Sequence, residues 1–236
     1  MGIYWEEDDK RDPFVVPDDI VDVSFVVSGR MLPNDHAEAL HDAILSVLPW
    51  FDEEDGTGLH LIHVAESANG WERPSDPDAL MHLSRRTRMT LRLPQHRVEE
   101  VRAALSGTEL EVGGHTLVPG KSAVKKLSPL GTIFARYVAA EQPMEEPEFL
   151  DWMHGELRDM GVRARKMMCG KAHDLRLPGG PVQTRSVMLA DLSPEDSVRV
   201  QQRGIGPWRR HGCGLFLPHK GIKPVGKEAE KQHFAG

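Results

Sequence analysis

The 236-residue chain has only two cysteines, Cys169 and Cys213, too few for a disulfide framework or a four-thiolate zinc site. It has no apolar run near the roughly 18 residues that a membrane span needs. The acidic stretch Met1 to Asp12 lacks the apolar h-region of a secretory signal. Neither a Walker nucleotide-binding pattern nor a His-Glu-x-x-His metal motif occurs. A cytoplasmic, soluble protein with no metal and no small-molecule cofactor is the expectation, and membrane association is not expected.

What is present is an uneven distribution of charge. The net charge of −7 conceals it, because the first 80 residues carry 19 of the 36 acids but only Lys10, Arg11, Arg30 and Arg73 among the bases. That part is acidic by −15 and the remainder is basic by +8. Such an asymmetry points to an anionic partner for the C-terminal part.

Hydrophobic patterning predicts a mixed α+β chain. Val21, Val23, Phe25 and Val27 alternate with Asp22, Ser24 and Val26, as in a half-buried strand. Asn34 to Leu48 reads as a helix with Asn34 as its cap and Pro49 as its stop. Leu59 to Val64 is a short strand, residues 66 to 84 a loop, and Thr87 to Leu93 a strand with Arg88, Thr90 and Arg92 pointing outward. Gln95 to Leu105 is a helix, and Gly113-Gly114 marks a hairpin. Strand, helix, strand, strand, helix, strand is the ferredoxin-like (RRM-like, βαββαβ) plan.

The same order of elements returns. Thr132 to Val138, the helix Pro147 to Met160, Val162 to Met168, the pair Leu175 to Leu177 and Gln183 to Leu189, a helix opened by Ser193-Pro194-Glu195-Asp196, and Leu215 to Leu217 follow in turn. Met167, Met168 and Trp152 are expected in the core. The reading is two tandem ferredoxin-like modules. Residues 1–17 form an acidic arm, 18–120 the first module, 121–218 the second with a glycine-rich loop before its last strand, and 219–236 a flexible tail.

That loop, Gly204-Ile205-Gly206-Pro207-Trp208-Arg209-Arg210-His211-Gly212-Cys213-Gly214, is the most specific feature. Glycines permit positive φ and let backbone N–H groups approach a bulky anion, while arginines add bidentate phosphate contacts and a flat ring can stack on a base. The segment stands after a helix and before a strand, the reverse of a Rossmann fingerprint.

With this placement the chain resembles the RAMP superfamily of CRISPR-associated proteins and, within it, the repeat-RNA processing endoribonucleases of the Myxan-type (type I-U or I-G) branch. Leu32-Pro33-Asn34-Asp35-His36 through Leu48-Pro49, Ser84 to Pro94, and Leu192 to Ser197 running into the loop carry the resemblance, which covers roughly residues 18 to 218. It implies metal-independent cleavage of precursor CRISPR RNA within each repeat. A 2′-hydroxyl attacks the phosphorus, leaving 2′,3′-cyclic phosphate and 5′-hydroxyl ends. The resemblance also implies a histidine as acid or base near the first strand and helix. CRISPR repeat RNA is the expected partner, with other CRISPR effector subunits as further ones. The rival reading is a RAMP protein that binds guide RNA in an effector complex without cutting it. A small-molecule-binding domain would leave the Gly-Arg loop without a purpose.

Twelve histidines are present. His36, in the first turn of the first helix, is the preferred catalytic residue, since a helix N-terminus disfavours imidazolium. His41 on the same helix and His60 in the next strand are the runners-up, with His63 beside them. His60 and His63 face opposite sides of a strand and form no metal site. His211, inside the loop, suits phosphate contact. Gly204, Gly206, Arg209, Arg210, Gly212 and Gly214 are expected to bind RNA, together with Arg85, Arg86 and Arg88 and with Arg163, Arg165 and Lys166; Lys121, Lys125 and Lys126 could add to the grip.

Overall fold

Strict alternation makes the first strand the spine of the first sheet. In β1 (Ile20–Ser28) Val21, Val23, Phe25 and Val27 are almost completely buried. The computed structural model describes residues 14–63, 76 and 79–219. The acidic arm to residue 13, Val64 and most of the expected 66–84 loop, and the tail beyond residue 219 lie outside the described residues.

After β1 come β2 (Met31–Pro33), α1 (Ala37–Val47), β3 (Gly58–His60), β4 (Leu80–His82), β5 (Arg88–Pro94), α2 (Val98–Leu105), β6 (Leu110–Val112) and β7 (His115–Lys126). The sheet runs β3-β5-β1-β7-β6 and every pairing is antiparallel. Leu91 stands opposite Val23 on one side and Leu59 on the other. These residues form one core with Leu40 and Ile44 of α1 and Val98, Val101 and Leu105 of α2. Hydrophobic burial on that face, at about 1.5–3 kcal/mol for each large side chain, is what holds the layer together.

The second half contributes β8 (Ile133–Ala139), α3 (Glu146–Asp159), β9 (Lys166–Leu177), β10 (Gly180–Ala190), α4 (Pro194–Arg203) and β11 (Leu217–Pro218). Its antiparallel sheet runs β11-β8-β10-β9. Ile133, Ala135, Val187 and Leu189 pack against Phe149, Met153 and Leu157 of α3 and Val200 of α4. As the sequence implies, Ser193 caps α4 by accepting the Asp196 N–H at 3.1 Å, with Pro194 in the first turn.

Several details differ from the sequence reading. Asn34 does not cap α1: His36 occupies that place, and the buried Asn34 donates its Nδ2 to Asp76 O at 3.1 Å. Within the expected loop 66–84, β4 pairs with β2, a bridge too short to give a periodic signal. β7 continues past residue 120 to Lys126, so the sheets are joined over residues 127–132. The segment expected as a strand over Val162 to Met168 enters β9 only at Lys166 and then runs on to Leu177. Met167 and Trp152 pack against the second core, but Met168 is 59% exposed, because alternation along β9 turns it away from the core that Met167 enters.

The largest departure is Arg92. Alternation places it on the outer face of β5, and it is there, yet it is fully buried. The end of α4 covers that part of the face. Arg92 donates Nε and Nη2 to the two oxygens of Asp22 at 2.8 and 3.0 Å, and Nη1 to Gln201 O at 2.7 Å. Gln201, also buried, donates its Nε2 to Ser128 O at 2.6 Å and accepts the Ser128 N–H at 3.2 Å. Gln202 adds a bond to Asp19 at 2.7 Å. An apolar seam runs beside these contacts, with Ala37 and Leu61 from the first half against Tyr137, Ala139, Leu175, Leu177 and Cys213 from the second.

Burial alone would raise the Asp22 carboxyl. The charge and hydrogen bonds of Arg92, with His60 nearby, outweigh burial and hold the group well below the usual carboxylate range. A depressed folded-state value stabilises the fold above the ordinary aspartate pKa of about 3.9, and that stabilisation is lost as pH falls below it. Arg92→Leu should therefore cost about 3–5 kcal/mol at neutral pH, because it strands a buried carboxylate. Asp22→Asn combined with Arg92→Leu should recover part of that loss. Urea denaturation midpoints of the two variants check both statements.

Candidate active site

Between α4 and β11 the glycine-rich segment folds back on itself around a 3-10 turn at Arg209–His211. Ile205 N–H donates to Gly214 O at 3.2 Å, Cys213 N–H to Trp208 O at 3.1 Å, and Gly214 N–H to Tyr137 O at 2.7 Å. Glycine is required here by close approach. At Gly206 (φ +75°) an added Cβ would overlap the Ala139 carbonyl, and at Gly214 (φ +66°) it would overlap that of Ile205. Gly204 and Gly212 also have positive φ, and Gly212 presses on Leu61 of the first half. The glycines thus seat the loop across the junction, and several of the amides expected to meet RNA are consumed within it.

The two arginines part company. The Arg209 guanidinium donates to the carbonyls of Arg203 and, at 2.9 Å, Gln202, so it caps the C-terminal end of α4. Burial, reinforced by the charges of Arg92 and Arg210, pushes its pKa down to about 10. Arg210 instead reaches the first half, donating Nε to Thr57 Oγ1 at 2.8 Å and Nη2 to Glu54 O at 2.9 Å. Its Nε is 3.8 Å from Asp52 Oδ1.

Beside Arg210, the rings of His211 and His41 stack at 4.0 Å between centroids, tilted by 25°. Both are buried. His41, on the inner flank of α1, has Nε2 2.8 Å from Asp52 Oδ1 and Nδ1 3.2 Å from Asp42 Oδ1. Trp208, held at φ +67°, meets His211 edge-on. Burial first, and then the neighbouring His41, push the His211 imidazole down to about 4. It is therefore neutral near pH 7. The cleft in front of these groups has a volume of about 540 Å³, within the range of ligand sites. Asp52, Asp55 and Thr57 line one wall, and Trp208, Arg210 and His211 line the other.

His36 does not line this cleft. It is 1% exposed, its Nδ1 sits 2.9 Å from Pro33 O and 3.2 Å from Asn34 O, and its Nε2 accepts the Ile62 N–H at 3.0 Å. Both nitrogens are spent on backbone, so the ring is a strut between the start of α1 and the segment after β3. His60 is deep beneath the same junction, 3.7 Å from Asp22. Burial lowers its pKa against the pull of Asp22. Among the described residues no cluster of His, Cys, Asp or Glu is arranged to hold a metal ion.

The basic clusters are not gathered at the cleft. Arg85 and Arg86 are exposed at the turn before β5 and Arg88 at its start, where it donates to the carbonyls of Arg85 and Thr87. Arg163 and Arg165 are exposed before β9, and Lys166 pairs with Asp191 at 3.0 Å. Arg163 and His154 line a separate cavity of about 450 Å³. Arg163 N–H reaches Asp196 at the start of α4, the opposite end of that 10-residue helix from Arg209, roughly 15 Å away along its axis. Asp52 and Thr57 were not distinguishable in the sequence as site residues. The available signal was Pro49, which turns the chain back along α1, but the acidic run after it reads as a solvated loop.

The fold is that of CRISPR-associated RAMP proteins. It is shared with a solved CRISPR-associated protein Cas6 (TM-score 0.58, 10% identity, 85% of this chain and 100% of that one). A solved protein from a Cas6-related gene of Pyrococcus furiosus gives a TM-score of 0.59 at 12% identity over 84% of this chain and 97% of that one. A RAMP protein that binds different RNA substrates gives 0.59 at 13% identity over 84% and 98%. In sequence, a CRISPR-associated endonuclease Cas6 of Myxococcus xanthus is 33% identical over 198 residues, covering 84% of this chain and 81% of that protein. Residues 21–221 match the family model described as Cas6 Crispr, and the chain belongs to the Cas6 family of CRISPR-associated endonucleases.

Two measurements check the loop and the histidine stack. Gly206→Ala should destabilise the protein by about 1–3 kcal/mol through strained φ, with the carbonyl overlap in addition. Gly155→Ala, inside α3 with open space around it, should instead stabilise by roughly 0.5–1 kcal/mol. Because the folded-state value of His211 is depressed from 6.5 to about 4, the stability it confers is complete above pH 6.5 and declines as pH falls toward 4. His211→Phe should flatten that decline by up to about 1.4 kcal/mol per pH unit, read from denaturation curves across the interval.

Proposed function

We propose that this protein binds CRISPR repeat RNA and cleaves precursor crRNA within the repeat, without a metal ion, leaving 2′,3′-cyclic phosphate and 5′-hydroxyl ends. The observation that carries the reading is the junction cleft, where a neutral imidazole and a guanidinium stand side by side on a loop that only glycine can build. In-line attack by a 2′-hydroxyl needs a proton acceptor, a proton donor and positive charge near the phosphorane. His211 is the acceptor in this scheme, His41 the paired imidazole behind it, and Arg210 the charge, while the departing 5′-oxygen takes its proton from water in the cleft. His36, preferred on sequence grounds, takes the role of a strut that sets the entry to α1.

The order of each sheet supports reading the halves as two ferredoxin-like modules. In both, the first strand lies between the last and the third, with the second outermost. The first module then spans about residues 18–126 and the second about residues 133–218. The exposed arginines at 85–86 and 163–165 would track the RNA backbone away from the cleft. A role for Arg209 in phosphate binding is indirect, through the α4 cap that positions its neighbour.

The test is cleavage of repeat RNA in excess EDTA. Product should form, and a 2′-deoxynucleotide before the scissile bond should abolish it. His211→Ala should slow single-turnover cleavage by about 100-fold or more while RNA still binds. A magnesium requirement or a 3′-hydroxyl product would sink the chemistry, and binding without any cleavage would favour a guide-RNA-holding subunit.

A further inference from the structure

We infer that Asp52 is a positioning residue for the cleavage step, holding His41 against His211 across the junction of the two sheets; this rests on placing the chemistry in the junction cleft. Asp52 ends the 3-10 turn Pro49–Asp52 that directly follows α1. That turn returns the chain alongside the helix and brings residue 52 to the ring of residue 41. The contact is short, 2.8 Å from Oδ1 to His41 Nε2. Burial differs sharply between the partners: the Asp52 side chain is 41% exposed at the cleft wall, the His41 side chain 7%. The carboxylate therefore links a wet cleft to a dry ring.

Among the described residues, the charged groups facing the pair come from α1 and the glycine loop. From α1 comes Asp42, 3.2 Å from His41 Nδ1 but itself 68% exposed; from the glycine loop comes Arg210, 3.8 Å from the same Asp52 oxygen; His211 lies flat on His41. Asp52 thus restrains one imidazole by a direct bond and the second through the stack. Its charge also opposes the burial and the His41 contact that disfavour a proton on His211. A carboxylate that orients an imidazole and balances its charge is a recurrent way to keep the ring in one tautomer and one plane.

A double-mutant cycle with single-turnover cleavage at saturating protein tests this, with RNA affinity measured in parallel. Asp52→Asn should slow cleavage by at least about 10-fold with affinity unchanged, and Asp52→Glu should restore part of the rate. In a His41→Ala background, Asp52→Asn should cost less than about 3-fold more, because the group it positions is gone. The acid limb of the pH–rate profile should move to lower pH in Asp52→Asn, since removing a negative charge makes His211 harder to protonate. Equal slowing in both backgrounds with an unmoved limb would show a merely structural residue and overturn the inference, as would a normal rate in Asp52→Asn. Coupling between residues 52 and 41 alongside a normal rate in His211→Ala would keep Asp52 as the positioning residue while removing His211 as proton acceptor. A wild-type protein that binds but does not cut would overturn both.

Discussion

A guanidinium with no solvent contact sets the geometry of the whole molecule. Arg92 leaves the first sheet, neutralises Asp22 on the same face, and spends its last donor on the carbonyl of Gln201 at the end of α4. Because α4 is rigid, fixing that end fixes where the chain goes next. It enters the glycine loop directly over β3, and the loop lays Arg210 on the 52–57 segment and His211 on His41. A buried ion pair rarely adds much net stability over apolar packing, but losing one partner is expensive. Its service here is orientation.

The sequence was most legible where one face of an element meets one core. Alternation in β1 and β5 and the cap of α4 are local signals. Legibility failed where the surroundings come from distant chain. Arg92 obeys the alternation that reads as solvent-facing, and only the arrival of α4 makes that face interior. Met168 errs the other way, apolar and yet exposed. Asp52 belongs to an acidic run, and no pattern separates the one carboxylate that meets a histidine from those that meet water.

The histidines show why residue type is a weak guide to role. His36, His41, His60 and His211 all fall near the junction, and each has a different set of neighbours. Backbone groups occupy both nitrogens of His36. Asp22 and Arg92 dominate the surroundings of His60. Only the stacked pair borders open space, through His211 at the cleft wall. Position along the chain suggested His36, whereas a place at the cleft wall distinguishes His211.

The separation between Arg92 and its acceptor has a consequence for biogenesis. Gln201 is added to the growing chain 109 residues after Arg92, about 5–20 s of synthesis later. Once Lys126 has followed, the strands of the first sheet are all present and its outer face meets water until α4 arrives. The face holds Asp22, Ser24, Thr90 and Arg92, with Thr90 donating to Ser24 at 3.0 Å across the strands. A polar waiting surface of this kind gives little purchase for mispairing with other nascent chains. The ion pair that is sealed in the finished protein can form early, while hydrated, and be dried only when α4 docks.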